Sequence, residues 1–187
     1  MLILKDVAAM VVAKRRRRMG STVRGFYWLI DDAIAGCGRP GGAAYHRAEN
    51  DAALLKALDA DLSSLRAKGI EAVLSLTETP LADGALDRHD LTWLHLPIDD
   101  LAAPTPDQFR QGLAFIDRQR ARGRKVVVHC LVGQGRTGSI LAAYLIRGGL
   151  DAPAALRQLR AVCTGAVENR DQEQALDEFA ARRDWVV

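Results

Sequence analysis

Residues 126–138 read Val-Val-Val-His-Cys-Leu-Val-Gly-Gln-Gly-Arg-Thr-Gly, and helix-like spacing continues from Ser139 to Arg147. Few architectures accept a β-branched apolar run that passes through a glycine-rich turn into an amphipathic helix. Such a strand is buried on both faces, and the helix must pack back onto its sheet. The chain is therefore expected to be α/β. The turn at the strand's C-terminal end is expected to collect backbone N–H groups around an anion, with the positive end of the helix dipole behind them.

The side chains of this turn add chemistry to the cradle. Gly133 and Gly135 let successive N–H groups of Leu131, Val132, Gly133, Gln134, Gly135 and Arg136 face one concavity, where a tetrahedral phosphate fits. Cys130 opens the turn, and the same field is expected to favour its nucleophilic thiolate. Arg136 closes it with a guanidinium fork that can place two donors on phosphate oxygens. The Thr137 hydroxyl can donate to the sulfur and help it leave. His129 is expected to order the loop by hydrogen bonding rather than to move protons. The bare Cys130-to-Arg136 spacing is weak; His129, Gly133, Thr137 and Gly138 falling into place around it make the pattern specific.

These residues resemble the signature of the cysteine-dependent protein tyrosine phosphatases, in particular the small atypical dual-specificity branch and its bacterial and archaeal relatives. The resemblance runs from about residue 24 to 182. It implies a central mixed, largely parallel sheet flanked by helices, a phosphocysteine intermediate, and neither a metal nor another cofactor. It also implies a general acid on a loop one helix and one strand before the cysteine. Residues 94–108, Leu-His-Leu-Pro-Ile-Asp-Asp-Leu-Ala-Ala-Pro-Thr-Pro-Asp-Gln, resemble that loop and place the acid at Asp100, with Asp99 the runner-up. On the residues alone, both carboxylates also suit an ordinary turn. Residues 164–173 resemble a further loop of the family, although Thr164 stands where relatives carry proline. Gln172 would there position the hydrolytic water; an exposed helix glutamine is the alternative, and Asn169 is a weaker candidate.

The implied activity is hydrolysis of phosphotyrosine proteins, with phosphoserine and phosphothreonine admitted by a shallow pocket. A phosphoinositide or RNA 5′-phosphatase on the same scaffold is the alternative. Phosphoinositide relatives tend to carry lysine after the cysteine, where this chain has Leu131, so the pocket floor lacks that charge. A non-catalytic phosphate-binding module is disfavoured because Cys130 and Arg136 are both present. Phosphorylated proteins are the expected partners.

A chain of 187 residues, 49% hydrophobic and 26% charged, suits one sizeable globular core. The net charge of +3 hides an asymmetry: Lys5, Lys14 and Arg15 to Arg18 against Asp6 give the first 18 residues +5, leaving −2 for the rest. The expected organisation is a basic arm over 1–23, disordered or upstream of a true start at Met19, and a phosphatase domain over 24–187. The catalytic body then offers no general attraction to nucleic acid. No apolar run suggests stable membrane insertion, and the basic cluster follows the short apolar stretch, unlike a secretory signal. Three cysteines, Cys37, Cys130 and Cys163, form no disulfide framework, which fits a reducing cytoplasm. Cys37 and Cys163 read as ordinary buried thiols. His46, His89 and His95 share no metal-ligand spacing.

Along the chain, a strand pair is expected near 26–36, a helix over 49–68 and a strand at 70–76. A loop then covers 80–90, followed by a strand at 91–96 whose Trp93 is expected in the core. Thr105-Pro106-Asp107-Gln108 carries the marks of a helix start: a capping threonine, proline in the first turn and a glutamine that can bond back. Further helices are expected over 136–147, from Asp151 to about Val162, and over 170–183.

Overall fold

Burial of alternate residues on opposite faces organises the molecule around one sheet. The computed structural model describes residues 23–42 and 50–182, so the arginine-rich arm and His46 lie outside the described residues. The hairpin β1 (Tyr27–Ile30) and β2 (Ile34–Cys37) leads to helix α1 (Asp51–Ala67) and strand β3 (Ile70–Ser75). A one-turn helix α2 (Ala85–Arg88) precedes strand β4 (Thr92–His95) and helix α3 (Pro106–Arg120). Strand β5 (Lys125–His129) then enters helix α4 (Gly135–Arg147), followed by α5 (Ala152–Val162) and α6 (Arg170–Ala181).

The sheet order is β1-β2-β5-β3-β4, with β1 antiparallel to β2 and every other pair parallel. It is the mixed, largely parallel sheet that the resemblance implies. In β3, Ala72 and Leu74 join one core layer while Val73 joins the other; in β5, Val126 and Val128 face one way and Val127 the other. The first layer packs beneath α3, α4, α5 and α6 through Ile116, Ile140, Leu141, Leu159, Leu176 and neighbours. The second packs beneath α1 and α2 through Leu58, Leu62, Leu65 and Leu86. Cover on both faces explains why the β5 residues read as an uninterrupted apolar run.

The helix starts follow their caps. Thr105 and Gln108 form a complete capping box, with the Gln108 N–H on Thr105 Oγ1 at 3.2 Å and the Thr105 N–H on Gln108 Oε1 at 2.8 Å. Asp151 accepts from the Ala154 N–H at 2.7 Å to open α5, and Asn169 accepts from the Gln172 N–H at 3.0 Å to open α6.

Two expectations fail locally. The 80–90 segment holds α2, a single turn too short to show a periodic pattern. Trp93 is 46% exposed rather than core, because β4 is an edge strand whose outer residues lack the double cover given to β3 and β5.

Candidate active site

β5 sits in the middle of the sheet with β2 and β3 on either side, so the chain leaves His129 at a point where both neighbours end. Cys37 and Ser75 are the partners of His129 in the two ladders. This crevice beyond the carboxyl ends of parallel strands is where open α/β sheets place ligands.

The turn that follows is held shut by close backbone approach. Gly133 has φ +87°, and a Cβ on it would fall 2.4 Å from the Cys37 carbonyl carbon. Only glycine fits there. The curl brings the Gly133 N–H within 3.3 Å of Cys130 Sγ, so a backbone donor points at the sulfur. The Gly133 carbonyl accepts from Tyr27 Oη at 3.2 Å. On the far side, a Cβ on Gly138 would meet the Val167 nitrogen at 2.8 Å. Val167 is a β-branched residue at φ +61°, backbone strain that the Arg160 guanidinium helps hold by donating to the Val167 carbonyl at 3.1 Å. Gln134 is the N-cap residue of α4, and its carbonyl accepts from the Gly138 N–H at 2.7 Å. Leu131 is half exposed at the mouth, and its carbonyl accepts from the Arg39 N–H at 3.1 Å, while Val132 is partly buried.

His129 is fully buried, and burial pushes its pKa down to about 3, so the imidazole is neutral. Its Nδ1 lies 3.3 Å from the Cys130 carbonyl oxygen, which can only accept, so Nδ1 carries the proton. Thr137 is fully buried and its Oγ1 has no hydrogen-bond partner; the bond expected from it to the sulfur is not formed. Burial pushes the thiols of Cys37 and Cys163 up, and both are free.

Arg136 is the largest fully buried side chain among the described residues, and its guanidinium makes three hydrogen bonds. Its Nη1 donates to the Ile98 carbonyl at 2.8 Å and to Glu78 Oε2 at 2.9 Å, and its Nη2 donates to Asp100 Oδ1 at 2.6 Å. The sequence pattern did not single out Glu78. The signal that could have found it is an acidic residue just past the end of a buried parallel strand, where side chains turn toward the crevice. A hydrogen bond from its own backbone, then Arg136, holds the Glu78 carboxyl below the usual range.

The structure brings Asp100 to the loop, whereas the Asp99 carbonyl accepts from the Ala102 N–H in a turn at 3.1 Å. Leu101, next in the chain, is 60% exposed at φ +61°. Its carbonyl is gripped from α6 by Asn169 Nδ2 at 2.8 Å and Gln172 Nε2 at 3.4 Å, and Gln172 also donates to the Ala102 carbonyl at 3.2 Å. Gln172 is therefore not an exposed helix residue: it is fully buried, packs against Gly135 and accepts from the Glu168 N–H at 2.9 Å.

A thiol and a buried guanidinium stand at the two ends of a backbone cradle, with a carboxylate reaching in from a separate loop, an arrangement that fits the small dual-specificity branch of the cysteine-dependent tyrosine phosphatase superfamily, of which the chain is a member. Residues 50–150 match the family described as polymorphic toxin system, DSP-PTPase phosphatase, and the chain belongs to that family. An uncharacterized protein of Methanocaldococcus jannaschii, MJECL20, is 35% identical over 48% of this chain and 60% of its own length. The match to a second archaeal protein covers 54% of that protein, so this chain spans little more than half of these relatives. Dual specificity protein phosphatase 22-B of Danio rerio is 29% identical over 67% of this chain and 70% of its own. Phosphatidylglycerophosphate phosphatase PTPMT2 of Arabidopsis thaliana is 25% identical over 64% of this chain and 55% of its own. Among solved structures, Tk-PTP in its active form superposes with a TM-score of 0.68 at 26% identity, covering 84% of this chain and 97% of that one.

Proposed function

We propose that the chain hydrolyses phosphate monoesters on phosphorylated proteins through a phosphocysteine intermediate. The observation that carries this reading is the Arg136 guanidinium, buried at the end of the cradle and bonded at 2.6 Å to Asp100. It links the phosphate site to a carboxyl group on an independent loop. The incoming phosphate takes over Nη2 from Asp100. Cys130 Sγ attacks phosphorus from the floor, a P–S bond forms and the P–O ester bond breaks. The Asp100 carboxyl gives its proton to the leaving oxygen. Water then attacks the phosphocysteine, its proton passes to the Asp100 carboxylate, the P–S bond breaks, and phosphate leaves the thiolate. Backbone N–H groups from Leu131 to Arg136 and the α4 dipole stabilise charge on the equatorial oxygens. Neutral His129 holds the Cys130 carbonyl, and the free Thr137 hydroxyl is available to the sulfur as it leaves. Gln172 serves this reading by fixing the acid loop.

Leu131 favours a protein over a phosphoinositide substrate, because the residue beside the nucleophile brings no positive charge for a second phosphate. The test is hydrolysis of an aryl phosphate in the presence of a chelator, followed by a panel of phosphotyrosine peptide, phosphoserine peptide, phosphorylated glycerolipid and RNA 5′-phosphate. Turnover should survive chelation, vanish in Cys130→Ser and be highest on a phosphopeptide. Retained turnover in Cys130→Ser would overturn the mechanism, and highest turnover on the lipid or RNA would overturn the substrate class.

A further inference from the structure

The segment from Thr77 to Pro80 has two sides. On one, Glu78 holds Arg136 at the phosphate loop. On the other, Pro80 walls a groove of about 60 Å³ with Leu81, Asp83, Asp87, Trp93 and His95, and no residue of 129–138 lines it. The groove is a feature separate from the cradle but anchored to the same piece of chain. Arg39 braces that piece by donating to the Thr79 carbonyl at 2.8 Å and the Pro80 carbonyl at 2.7 Å.

The charged side chains that line the groove are both acidic, with the Arg88 guanidinium at its rim beside Gly84. The Trp93 indole N–H donates to Asp87 Oδ1 at 3.0 Å, which fixes the half-exposed ring at the wall and sets a carboxylate at its edge. Asp83 adds a second carboxylate, and no lysine or arginine is among the lining residues. Arg88 reaches toward it but donates to the Asp83 carbonyl, at 3.4 Å. His95 Nε2 is engaged by the Thr77 carbonyl at 2.7 Å. An indole held by one carboxylate, in a groove that a second acidic residue also lines, suits an ammonium or guanidinium group. The groove is open to solvent on one side and has room for such a head group.

We infer that this groove is a subsite for a lysine or arginine side chain of the phosphoprotein substrate, docked while its phosphoresidue occupies the loop. The inference rests on the phosphatase reading. Glu78 and Pro80 are two residues apart, so the chain between them spans at most about 7 Å. Adding the reach of the Glu78 and Arg136 side chains keeps the phosphate and the groove within about 15 Å of each other. An extended peptide advances about 3.3 Å per residue, so the cation belongs within about four residues of the phosphoresidue.

The test uses the full chain and a neutral phosphotyrosine peptide in which a single lysine is walked through five positions on each side. Lysine at one position within four residues of the phosphotyrosine, on one side, should raise kcat/KM about tenfold, and glutamate there should lower it. The gain should vanish in Trp93→Leu and in the Asp83→Asn, Asp87→Asn double variant, both hydrolysing a small aryl phosphate at the unsubstituted rate. No positional preference, or a lysine gain that survives in both variants, overturns the subsite. The same scan read as Kd on Cys130→Ser protein decides the subsite without turnover. Failure of the unsubstituted chain to hydrolyse aryl phosphate would instead strike the phosphatase reading.

Discussion

Glu78 and Arg136 form a pair of unequal burial: the arginine side chain is 2% exposed, the glutamate 47%, and they meet at 2.9 Å. Most of the desolvation cost therefore falls on the arginine, and the glutamate sets where the guanidinium points. Removing it leaves Nη1 with the Ile98 carbonyl alone among its partners. Glu78→Ala is expected to lower kcat/KM on a small aryl phosphate about 5- to 10-fold, the cost of one charge-assisted hydrogen bond discounted for exposure. Glu78→Gln, which keeps an acceptor, should recover most of it. Steady-state kinetics on the three proteins decide the matter, and an alanine variant as fast as the unsubstituted chain would dismiss the role.

Gly133 and Gly149 make a matched pair of left-handed glycines. Gly133, at φ +87°, leaves no room for a Cβ beside the Cys37 carbonyl, whereas Gly149, at φ +108°, has nothing within 4 Å of that position. Gly149→Ala should cost about 1–2 kcal/mol of stability and no activity. Gly133→Ala adds a clash with backbone that cannot rotate away, so about 2–4 kcal/mol and a distorted cradle are expected. Thermal unfolding with an aryl phosphate assay separates the two. Equal shifts in Tm would show that conformation alone, not the approach to Cys37, makes the position glycine.

The acid loop depends on α6. Gln172 is fully buried, and its amide group serves the Leu101 and Ala102 carbonyls and the Glu168 N–H. Gln172→Leu strands those groups and should destabilise the protein by about 2–3 kcal/mol. If the loop carries the acid, the loss in kcat should grow with leaving-group pKa: small for a nitrophenyl ester, about tenfold or more for an unactivated phenyl ester. A uniform loss across leaving groups would mean that Gln172 acts elsewhere in the reaction.

What the sequence made legible follows the range of its signals. The cradle could be read because strand, turn and helix are contiguous, so its nucleophile, glycines and arginine fall within ten residues even though their contacts with Cys37, Glu78, Asp100 and Val167 do not. The Thr105 capping box was equally local. Glu78 lies 58 residues from Arg136 and the Leu101 carbonyl 68 from Asn169, so no spacing rule joins them; only the parallel crossovers bring them together. Alternation suggested that Trp93 was buried, but alternation reports a face, and whether that face is covered depends on sheet order. Gln172 was open between two roles for the same reason, since its burial comes from packing against a loop 70 residues earlier.

His129 ties stability to pH. It is buried neutral with a pKa near 3 in the folded chain, against an ordinary 6.5. The unfolded chain therefore binds a proton that the folded chain refuses as pH falls below 6.5, so stability is lost on acidification through that window and is unaffected above it. Integrated from pH 7.5 to 5, one such group costs about 2 kcal/mol. Carboxylates change little down to about pH 5.5, so a difference between unsubstituted protein and His129→Gln in that range isolates the histidine. Denaturant titrations at pH 7.5, 6.5, 5.5 and 5 should show a shallower decline in the glutamine variant, whatever its absolute stability. Parallel declines would show that His129 takes up its proton in the folded protein, and that the imidazole beneath Cys130 is able to charge.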